Sequence, residues 1–282
     1  MTNSARLTRS QPANLRDASD LAAPSSCIET DASYSRRRSV WHQVQQQYWN
    51  EVAYKYDHLY EGRWSRMENA WVALRLSFIA DLVQPTIVDL GCGTGLGRRL
   101  VEQVNPYAEY FGVDISPPMV HVAEATDGTH FRTGSMDDLR FLVDNSSADV
   151  VIALFASFSF AFEPARVLGE ISRILRPSGY AYLSVLSRRA LSRLGGCATA
   201  RNGRYRTRRD RRPGAGTVAH FLSIEDMRSL GHMLDLSLIS AEGMNTLSGV
   251  CEVPCMWPVG RLISWIYPQS SHLIDMIFQK VG

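Results

Sequence analysis

Short apolar runs alternate with amphipathic stretches along most of the chain from Pro85 onward. Runs of about four to eight apolar residues are typical of buried strands, whereas apolar residues repeated every three to four positions are typical of helices. Such alternation favours crossover connections, a mainly parallel sheet and a ligand site at the carboxyl ends of the strands. We predict strands over residues 86–90, 109–114, 130–133, 148–154, 180–186, 237–242 and 273–279, and helices over residues 96–104, 117–125, 137–143, 164–175 and 223–234.

The region before this alternation divides into two parts. Residues 1–39 hold eight serines and a single aromatic residue, so we predict a disordered tail with too little apolar area to offset the entropy of ordering. Residues 40–84 are dense in aromatic side chains and predict a helical cap, with a second helix over residues 67–82. The predicted fold is a doubly wound α/β domain over residues 85–282, with a seven-stranded, mainly parallel sheet, an N-terminal helical cap and a late arginine-rich insertion over residues 187–222.

Composition narrows the class of protein further. A hydrophobic fraction of 45%, a charged fraction of 21% and a net charge of +2 are globular values that do not favour a polyanion-binding surface over the whole molecule. Five scattered cysteines argue against a disulfide framework and fit a reducing cytoplasm, and no metal site is expected. The longest apolar stretch, residues 150–162, is too short for a bilayer, which needs about 20 residues, and no secretory signal is recognised.

The first strand runs directly into a glycine-rich turn. Residues 87–97 read IVDLGCGTGLG, with glycine at every second position from residue 91. A dinucleotide fingerprint would require glycine at residue 96 or 98, where Leu96 and Arg98 stand instead. Asp89 would repel a pyrophosphate but suits the ammonium group of an amino acid. The turn therefore favours a sulfonium nucleoside over a dinucleotide.

The second strand ends on a carboxylate about 20 residues after the glycine turn, at Asp114, where it can accept hydrogen bonds from ribose hydroxyls. With residues 110–119 (YFGVDISPPM), 134–139 (GSMDDL) and 170–179 (EISRILRPSG), the motif order over residues 85–186 closely resembles the class I S-adenosylmethionine-dependent methyltransferases. The resemblance implies S-adenosylmethionine as the cofactor. In many members an acid that contacts adenine occupies the position of Ser135, and this chain lacks it.

The resemblance also implies that an aromatic cap folds over the cofactor, with Tyr56 nearest the methyl group. His58 in the same cap is the first candidate for a general base, and His220 is the second. The predicted catalytic residues are thus Tyr56 and His58. The predicted cofactor-binding residues are Tyr56, Asp89, Gly91, Cys92, Gly93, Gly95, Asp114, Ile115, Met119, Ser135, Met136 and Phe155.

The sequence constrains the methyl acceptor mainly through a motif that is absent. After the fourth strand, residues 154–159 (LFASFS) lack the Asn- or Asp-Pro-Pro-aromatic motif of enzymes that methylate amides or nucleobase amines. We therefore expect in-line methyl transfer to a small-molecule acceptor, such as an anionic specialised metabolite, with Ser157 near the substrate.

Seven arginines crowd the late insertion and leave the acceptor class open. The cluster fits a solvated lid, a site for an anionic small substrate, or an RNA-binding surface. An RNA-binding methyltransferase and a non-catalytic cofactor-binding protein remain as alternatives, although a nucleic-acid or membrane partner is not expected. The arginines are Arg201, Arg204, Arg206, Arg208, Arg209, Arg211 and Arg212.

Overall fold

The computed structural model describes residues 31–128, 130–191, 204–205, 217–247 and 253–282. Its main sheet has seven strands in the order β3-β2-β1-β4-β5-β9-β8, and β9 runs antiparallel to both of its neighbours while the other pairs are parallel. The mainly parallel seven-stranded sheet predicted from the sequence is therefore confirmed. The strands are β1 (Thr86–Leu90), β2 (Glu109–Asp114), β3 (Phe131–Thr133), β4 (Ala148–Ala153), β5 (Leu175–Leu186), β6 (Arg204–Tyr205), β7 (Thr217–Val218), β8 (Leu236–Met244) and β9 (Leu273–Lys280).

Helices cover both faces of this sheet, because adjacent residues of each central strand pack into different apolar layers. Val88 and Leu90 of β1 belong to one cluster, whereas Ile87 of the same strand belongs to the other. Both layers are needed to bury a parallel sheet, which explains the continuous apolar runs of the sequence. The helices are α1 (Asp31–Val52), α2 (Arg63–Arg75), α3 (Leu96–Val104), α4 (Pro117–Asp127), α5 (Pro164–Ile174), α6 (Ile224–His232) and α7 (Trp257–Ile266).

The helix that follows β2 begins where its sequence predicts. The Ser116 hydroxyl accepts a hydrogen bond from the Met119 amide, and Pro117 occupies the first helical position, where its missing N–H removes no bond. This cap fixes the turn that carries Asp114 and Ile115 at the end of β2. The start of α4 thus positions part of the site described below.

The N-terminal helix starts earlier than predicted. Helix α1 begins at Asp31, so the predicted disordered tail over residues 1–39 is wrong for residues 31–39, while residues 1–30 lie outside the described part of the chain. Tyr34 is the reason: its ring packs edge-on against Phe162 and its hydroxyl donates to Glu163 at 2.7 Å. One aromatic residue therefore anchors a turn of helix that composition alone assigns to the tail.

Two predicted helices are also corrected. Residues 137–143 form turns, because the α5 side chains of Arg166 and Glu170 bond the Asp137 carbonyl and the Leu139 amide. The helix predicted over residues 67–82 is α2 followed by a 3₁₀ turn at Leu76–Ile79, after which the Asn105 side chain donates to the carbonyls of residues 79 and 82. In both places a side chain from elsewhere replaces the helical hydrogen bond.

The last part of the predicted arginine-rich insertion joins the core. Val218 and Leu222 are buried, and the ring of His220 stacks on Trp41 with 5.0 Å between centroids. The central part of the insertion, residues 192–203 and 206–216, lies outside the described residues, and so do the side chains of Arg204 and the other six clustered arginines. Among the described helices, none is long and apolar enough to cross a membrane.

Candidate functional site

The carboxyl ends of β1, β2 and β4 open into a solvent-connected cavity with an empty volume of about 940 Å³. β1 pairs with β2 on one side and β4 on the other, so the winding direction of the sheet reverses at this point. Open α/β sheets bind ligands at such a switch point. The cavity therefore has the position of a ligand-binding site of this fold class.

Backbone geometry explains the alternating glycines in the wall of this cavity. Gly91, Gly93 and Gly95 all have positive φ angles, of +77°, +53° and +89°, which residues with a Cβ rarely adopt. Gly91 is also crowded, since a Cβ there would lie 2.6 Å from the Cβ of Ser157. The Ser157 hydroxyl in turn donates to the Leu90 carbonyl at 2.7 Å, which fixes the end of β4 against the glycine loop.

Asp89 is a fully enclosed carboxyl group at the end of β1. The Tyr110 hydroxyl donates to its Oδ2 at 2.5 Å, whereas its Oδ1 has no hydrogen-bond partner among the described residues. Burial raises the pKa of Asp89 to about 7, a rise that the Tyr110 bond opposes and the nearby Asp114 charge reinforces. A buried carboxyl with a free oxygen and a raised pKa is a group that a cationic ligand would stabilise in its charged form.

Asp114 is the second buried acid, at the end of β2. Its Oδ2 accepts from the Gly93 amide at 2.9 Å and its Oδ1 accepts from the Ser116 amide at 2.8 Å, so it fastens the glycine loop to the start of α4. Burial raises its pKa to about 6, although the two amides act in the opposite direction. Between the two acids, burial raises the pKa of the Cys92 thiol well above its usual value, so this cysteine stays neutral.

A further glycine allows Asp89 to occupy its position. A Cβ on Gly97, in the first turn of α3, would lie 2.0 Å from Asp89 Oδ2. We expect Gly97→Ala to displace the carboxylate, destabilise the protein by about 1–3 kcal/mol, as overpacking does, and weaken binding of the cofactor that the sequence resemblance implies, S-adenosylmethionine, at least ten-fold. Isothermal calorimetry and urea unfolding measure both effects.

The matched control is Gly169→Ala in α5, where a Cβ would meet no atom within 4 Å. This exchange should stabilise the helix by about 0.5–1 kcal/mol and leave cofactor affinity unchanged. Equal affinity in the Gly97 and Gly169 variants would contradict the assigned role of Gly97.

The helical cap is joined to the walls of the cavity by polar contacts at several points. Thr94 in the glycine loop donates to Asp57 at 2.5 Å, which holds the 3₁₀ turn at Asp57–Tyr60 against the loop. On α1, Gln46 donates to the Ile115 carbonyl at 3.0 Å, and Asn50 accepts from the Ser116 hydroxyl at 2.7 Å. The cap is thus bonded to both loops that carry the buried acids.

Aromatic rings from the cap and from the turn after β4 form one wall of the cavity. The ring of Trp49 packs edge-on against Tyr56 and Phe160, with centroid separations of 6.1 and 5.1 Å, and all three residues line the cavity. Ring faces attract cations, and a closed aromatic wall excludes water. This wall suits a ligand with a positive charge on a non-polar group.

Apart from Gly95, every residue predicted to bind the cofactor lines this cavity. Gly95 precedes α3, where its positive φ turns the chain into the helix. The predicted base His58 is corrected by its position: it is 77% exposed, pairs with Glu61 at 2.7 Å and does not line the cavity. His220, the second candidate, is buried on Trp41 with its pKa lowered by burial, and it too lies outside the cavity wall.

Four polar residues of the cavity wall, His42, Gln45, Thr94 and Asp137, were not predicted from the sequence. His42 projects from α1, and its Nε2 lies 2.5 Å from Oδ2 of Asp137, which is buried. The sequence could have indicated Asp137, because it lies two residues after Ser135, the position at which many members of the family have an acid that contacts adenine. No comparable signal marks His42, which is separated from Asp137 by 95 positions in the chain.

Comparisons with known proteins identify a methyltransferase-like region that includes the strands carrying this site. The family model of a methyltransferase domain matches residues 88–183. A demethylmenaquinone methyltransferase of Thermotoga maritima is 31% identical over 46% of this chain and 56% of its own length, and a malonyl-[acyl-carrier protein] O-methyltransferase of a Paenibacillus species is 25% identical over 48% and 51%. The chain therefore spans about half the length of these curated relatives.

Solved structures reproduce the fold over a larger share of the chain. The [4+2]-cyclase SpnF superposes with a TM-score of 0.57 over 86% of this chain and 97% of its own, at 17% sequence identity. Similarity at that level concerns the fold alone. The sheet order, the glycine loop between two buried acids and the match of residues 88–183 to a methyltransferase domain make this region similar to the class I S-adenosylmethionine-dependent methyltransferases.

Proposed function

We propose that this protein transfers a methyl group from S-adenosylmethionine to a small-molecule acceptor. The observation that carries the proposal is the pair of buried acids, Asp89 and Asp114, on either side of a glycine loop at the switch point of the sheet. Each acid has a pKa raised by burial, and the match of residues 88–183 to a methyltransferase domain favours S-adenosylmethionine as the methyl donor.

The two acids fit different parts of that donor. The free Oδ1 of Asp89 is an acceptor that an ammonium group would satisfy, and the positive charge would offset the cost of burying the carboxylate. Asp114 already accepts two backbone amides, and each carboxylate oxygen has a further lone pair that a ribose hydroxyl can use. The described residues therefore fit the aminoacyl and sugar groups.

S-adenosylmethionine supplies an electrophilic methyl group on a sulfonium, and displacement at this carbon needs no covalent protein intermediate. The protein contributes alignment, which can lower a barrier by about 7–11 kcal/mol when the reacting groups are held in line. Tyr56, Trp49 and Phe160 form the wall that excludes water and faces positive charge. Tyr56 is the cap residue that we assign next to the reacting group.

A small acceptor is supported by the shape and chemistry of the cavity. Phe155, Phe160 and Leu154 make its β4 side apolar, and the Ser157 hydroxyl is bonded to the Leu90 carbonyl. The relatives named above act on demethylmenaquinone and on malonyl-[acyl-carrier protein], which favours acceptors with an oxygen or carbon nucleophile over nucleic acid. We do not assign His58 as the base, because it lies outside the cavity.

The test is turnover. Purified protein is incubated with S-adenosylmethionine and a panel of acceptors that includes a short-chain demethylmenaquinone and malonyl-[acyl-carrier protein], and S-adenosylhomocysteine is quantified by mass spectrometry. We expect product above background with at least one acceptor, and at least 100-fold less with Asp89→Asn. Calorimetric binding of the cofactor without turnover on any acceptor would favour a non-catalytic protein, and absence of binding would refute the proposal.

A further inference from the structure

Helix α7 presents its large apolar side chains to solvent. Leu262, Trp265 and Ile266 are 58%, 78% and 69% exposed, and Val259 and Tyr267 are exposed beside them. Val259, Leu262 and Ile266 are spaced by three and four positions, so they lie on one face of the helix. Single exposed apolar residues are normal on a protein surface, but a contiguous group of them indicates a docking surface.

The side of α7 that faces the protein has the opposite character. Its buried residues are the small Gly260 and Ser264. Arg261 also turns towards the protein, where the carbon of its guanidinium lies 3.3 Å from the centroid of the Trp71 ring and a nitrogen lies 3.5 Å from Glu242. A surface helix that only completes a core places its apolar side chains inward. Packing within the described chain therefore does not account for the outer face of α7.

The C-terminal end of this face borders on arginine. Residues 253–272 contain no Asp or Glu. Arg189 is exposed, and its guanidinium lies 3.5 Å from the Tyr267 hydroxyl. Two acids lie nearby, but Asp226 is paired with Arg188 at 3.0 Å and the Glu225 carboxylate accepts hydrogen bonds from a buried amide side chain. This end therefore combines an apolar face with positive charge.

The N-terminal end has the same combination. The ring of Trp257 packs edge-on against Trp64 at 5.1 Å, and Arg63 and Arg66 are exposed on either side of Trp64 in the sequence. The sequence that follows Arg189 adds further positive charge, with eight arginines and one acid over residues 190–212. An apolar face flanked by arginines complements a surface that is apolar inside and anionic at its rim.

The position of α7 relates this face to the cavity. The helix lies between the end of β8 and the start of β9, where Leu273 pairs with both Met244 and Leu186. Leu186 ends β5, which runs parallel to β4. The apolar face is therefore at the end of the sheet where the cavity opens.

We propose that α7 binds the surface of an anionic lipid membrane, with Leu262, Trp265 and Ile266 inserted below the head groups and Arg63 and Arg189 at their level. Helices with Trp and aliphatic residues on one face lie in the membrane interface, and Trp and Tyr are enriched there. The sequence predicted no membrane partner because no stretch can span a bilayer, but a helix that lies in the interface does not span it.

Charge favours lipid over a second copy of the chain. A two-fold symmetric contact through α7 would place the same patch of both copies together and bring their arginines close, which is unfavourable for like charges. Anionic head groups would instead neutralise those arginines. This inference goes beyond the proposed function and does not depend on it.

Co-sedimentation with vesicles tests the inference. The full-length protein is mixed with vesicles made of equal parts phosphatidylglycerol and phosphatidylcholine, or of phosphatidylcholine alone, and the bound fraction is measured. We expect binding to the anionic vesicles to be about ten-fold tighter or more and to weaken as salt is added, because salt screens the attraction to the head groups. The variant Trp265→Ser/Ile266→Ser should bind them about ten-fold more weakly or less, since it cannot bury these two side chains.

The matched control is Val83→Ser/Phe141→Ser. These side chains are even more exposed, but Val83 precedes β1 and Phe141 follows β3, which forms the edge of the sheet opposite β8. The control variant should bind vesicles as the wild type does. Both double variants should keep the wild-type free energy of unfolding in urea, because all four side chains are exposed. Arg63→Gln/Arg189→Gln should reduce the preference for anionic over neutral vesicles.

Three results would overturn the inference. One is failure of the wild-type protein to bind anionic vesicles, and another is equal binding by the wild type and the Trp265→Ser/Ile266→Ser variant. The third is a concentration-dependent dimer in sedimentation velocity that this variant abolishes, without vesicle binding, which would assign α7 to a second copy of the chain. The vesicle assay uses no cofactor, so the proposed function can fail while this inference holds.

Discussion

Replacing Asp114 by alanine is expected to weaken S-adenosylhomocysteine binding by about 100-fold or more, since two charge-assisted hydrogen bonds are each worth about 1.5–3 kcal/mol. The same exchange removes the acceptor for the Gly93 and Ser116 amides. The loop and the start of α4 then lose their common anchor, so stability should fall by about 1–3 kcal/mol for each amide left unsatisfied. Calorimetry and urea unfolding measure the two quantities.

Asp149→Ala is the matched control for this variant. Asp149 also accepts a backbone amide, from Thr86 at 2.8 Å, but at the opposite end of β1. It should lose stability and keep ligand affinity. If Asp114→Ala bound the ligand as tightly as Asp149→Ala does, Asp114 would have no part in ribose recognition.

Asp89→Asn is expected to stabilise the ligand-free protein at alkaline pH while weakening ligand binding. The carboxyl pKa is about 7 in the folded protein and 3.8 in a model compound. Between these values the folded protein retains a proton that the unfolded chain releases, so raising the pH through this window lowers the free energy of unfolding. Above pH 7 the ionised Asp89 lowers the free energy of unfolding by on the order of 2–4 kcal/mol, from 1.36 kcal/mol per pKa unit.

The amide side chain in the Asp89→Asn variant does not titrate, so it removes this pH-dependent loss of stability. Its oxygen can still accept a hydrogen bond from the Tyr110 hydroxyl. Urea unfolding of ligand-free protein at pH 5, 6.5 and 8 should show a decline for the wild type that the variant lacks in large part. A wild-type unfolding free energy that rises over this range, with no difference in the variant, would contradict the assignment of a raised pKa to Asp89.

Ligand binding should show the opposite dependence on pH. An ammonium group prefers the carboxylate, so wild-type affinity should fall about ten-fold for each pH unit below 7 as Asp89 takes up a proton. The Asp89→Asn variant should bind at least 100-fold more weakly at pH 8 and follow a flatter profile. Together the two pH profiles describe a carboxylate that destabilises the ligand-free protein and stabilises the complex with the ligand.

The central sheet could be predicted from the sequence because its signals are local. The bounds of β1 and β2 agree with the prediction to the residue, since each apolar run ends at a glycine turn or a capped helix. The same turns place Asp89 and Asp114 at the switch point.

Contacts between distant segments could not be predicted in this way. Residues 40–52 are compatible with a helix, but nothing in residues 31–52 tells which loop His42 faces. The turns at residues 137–143 have helix-compatible residues, and only the α5 side chains of Arg166 and Glu170 divert their backbone groups. His58 shares the cap with Tyr56, yet two positions on a 3₁₀ turn are enough to point it to solvent.

The placement of β9 between β5 and β8 has a consequence for biosynthesis. β8 leaves the ribosome before β9, and in the finished sheet it pairs only with β9 among the described strands. Until residues 273–280 have been translated, one edge of β5 and both edges of β8 carry unpaired backbone groups, which are prone to intermolecular pairing. The incomplete sheet of the nascent chain therefore stays open to self-association until β9 has been synthesised and has paired with β5 and β8.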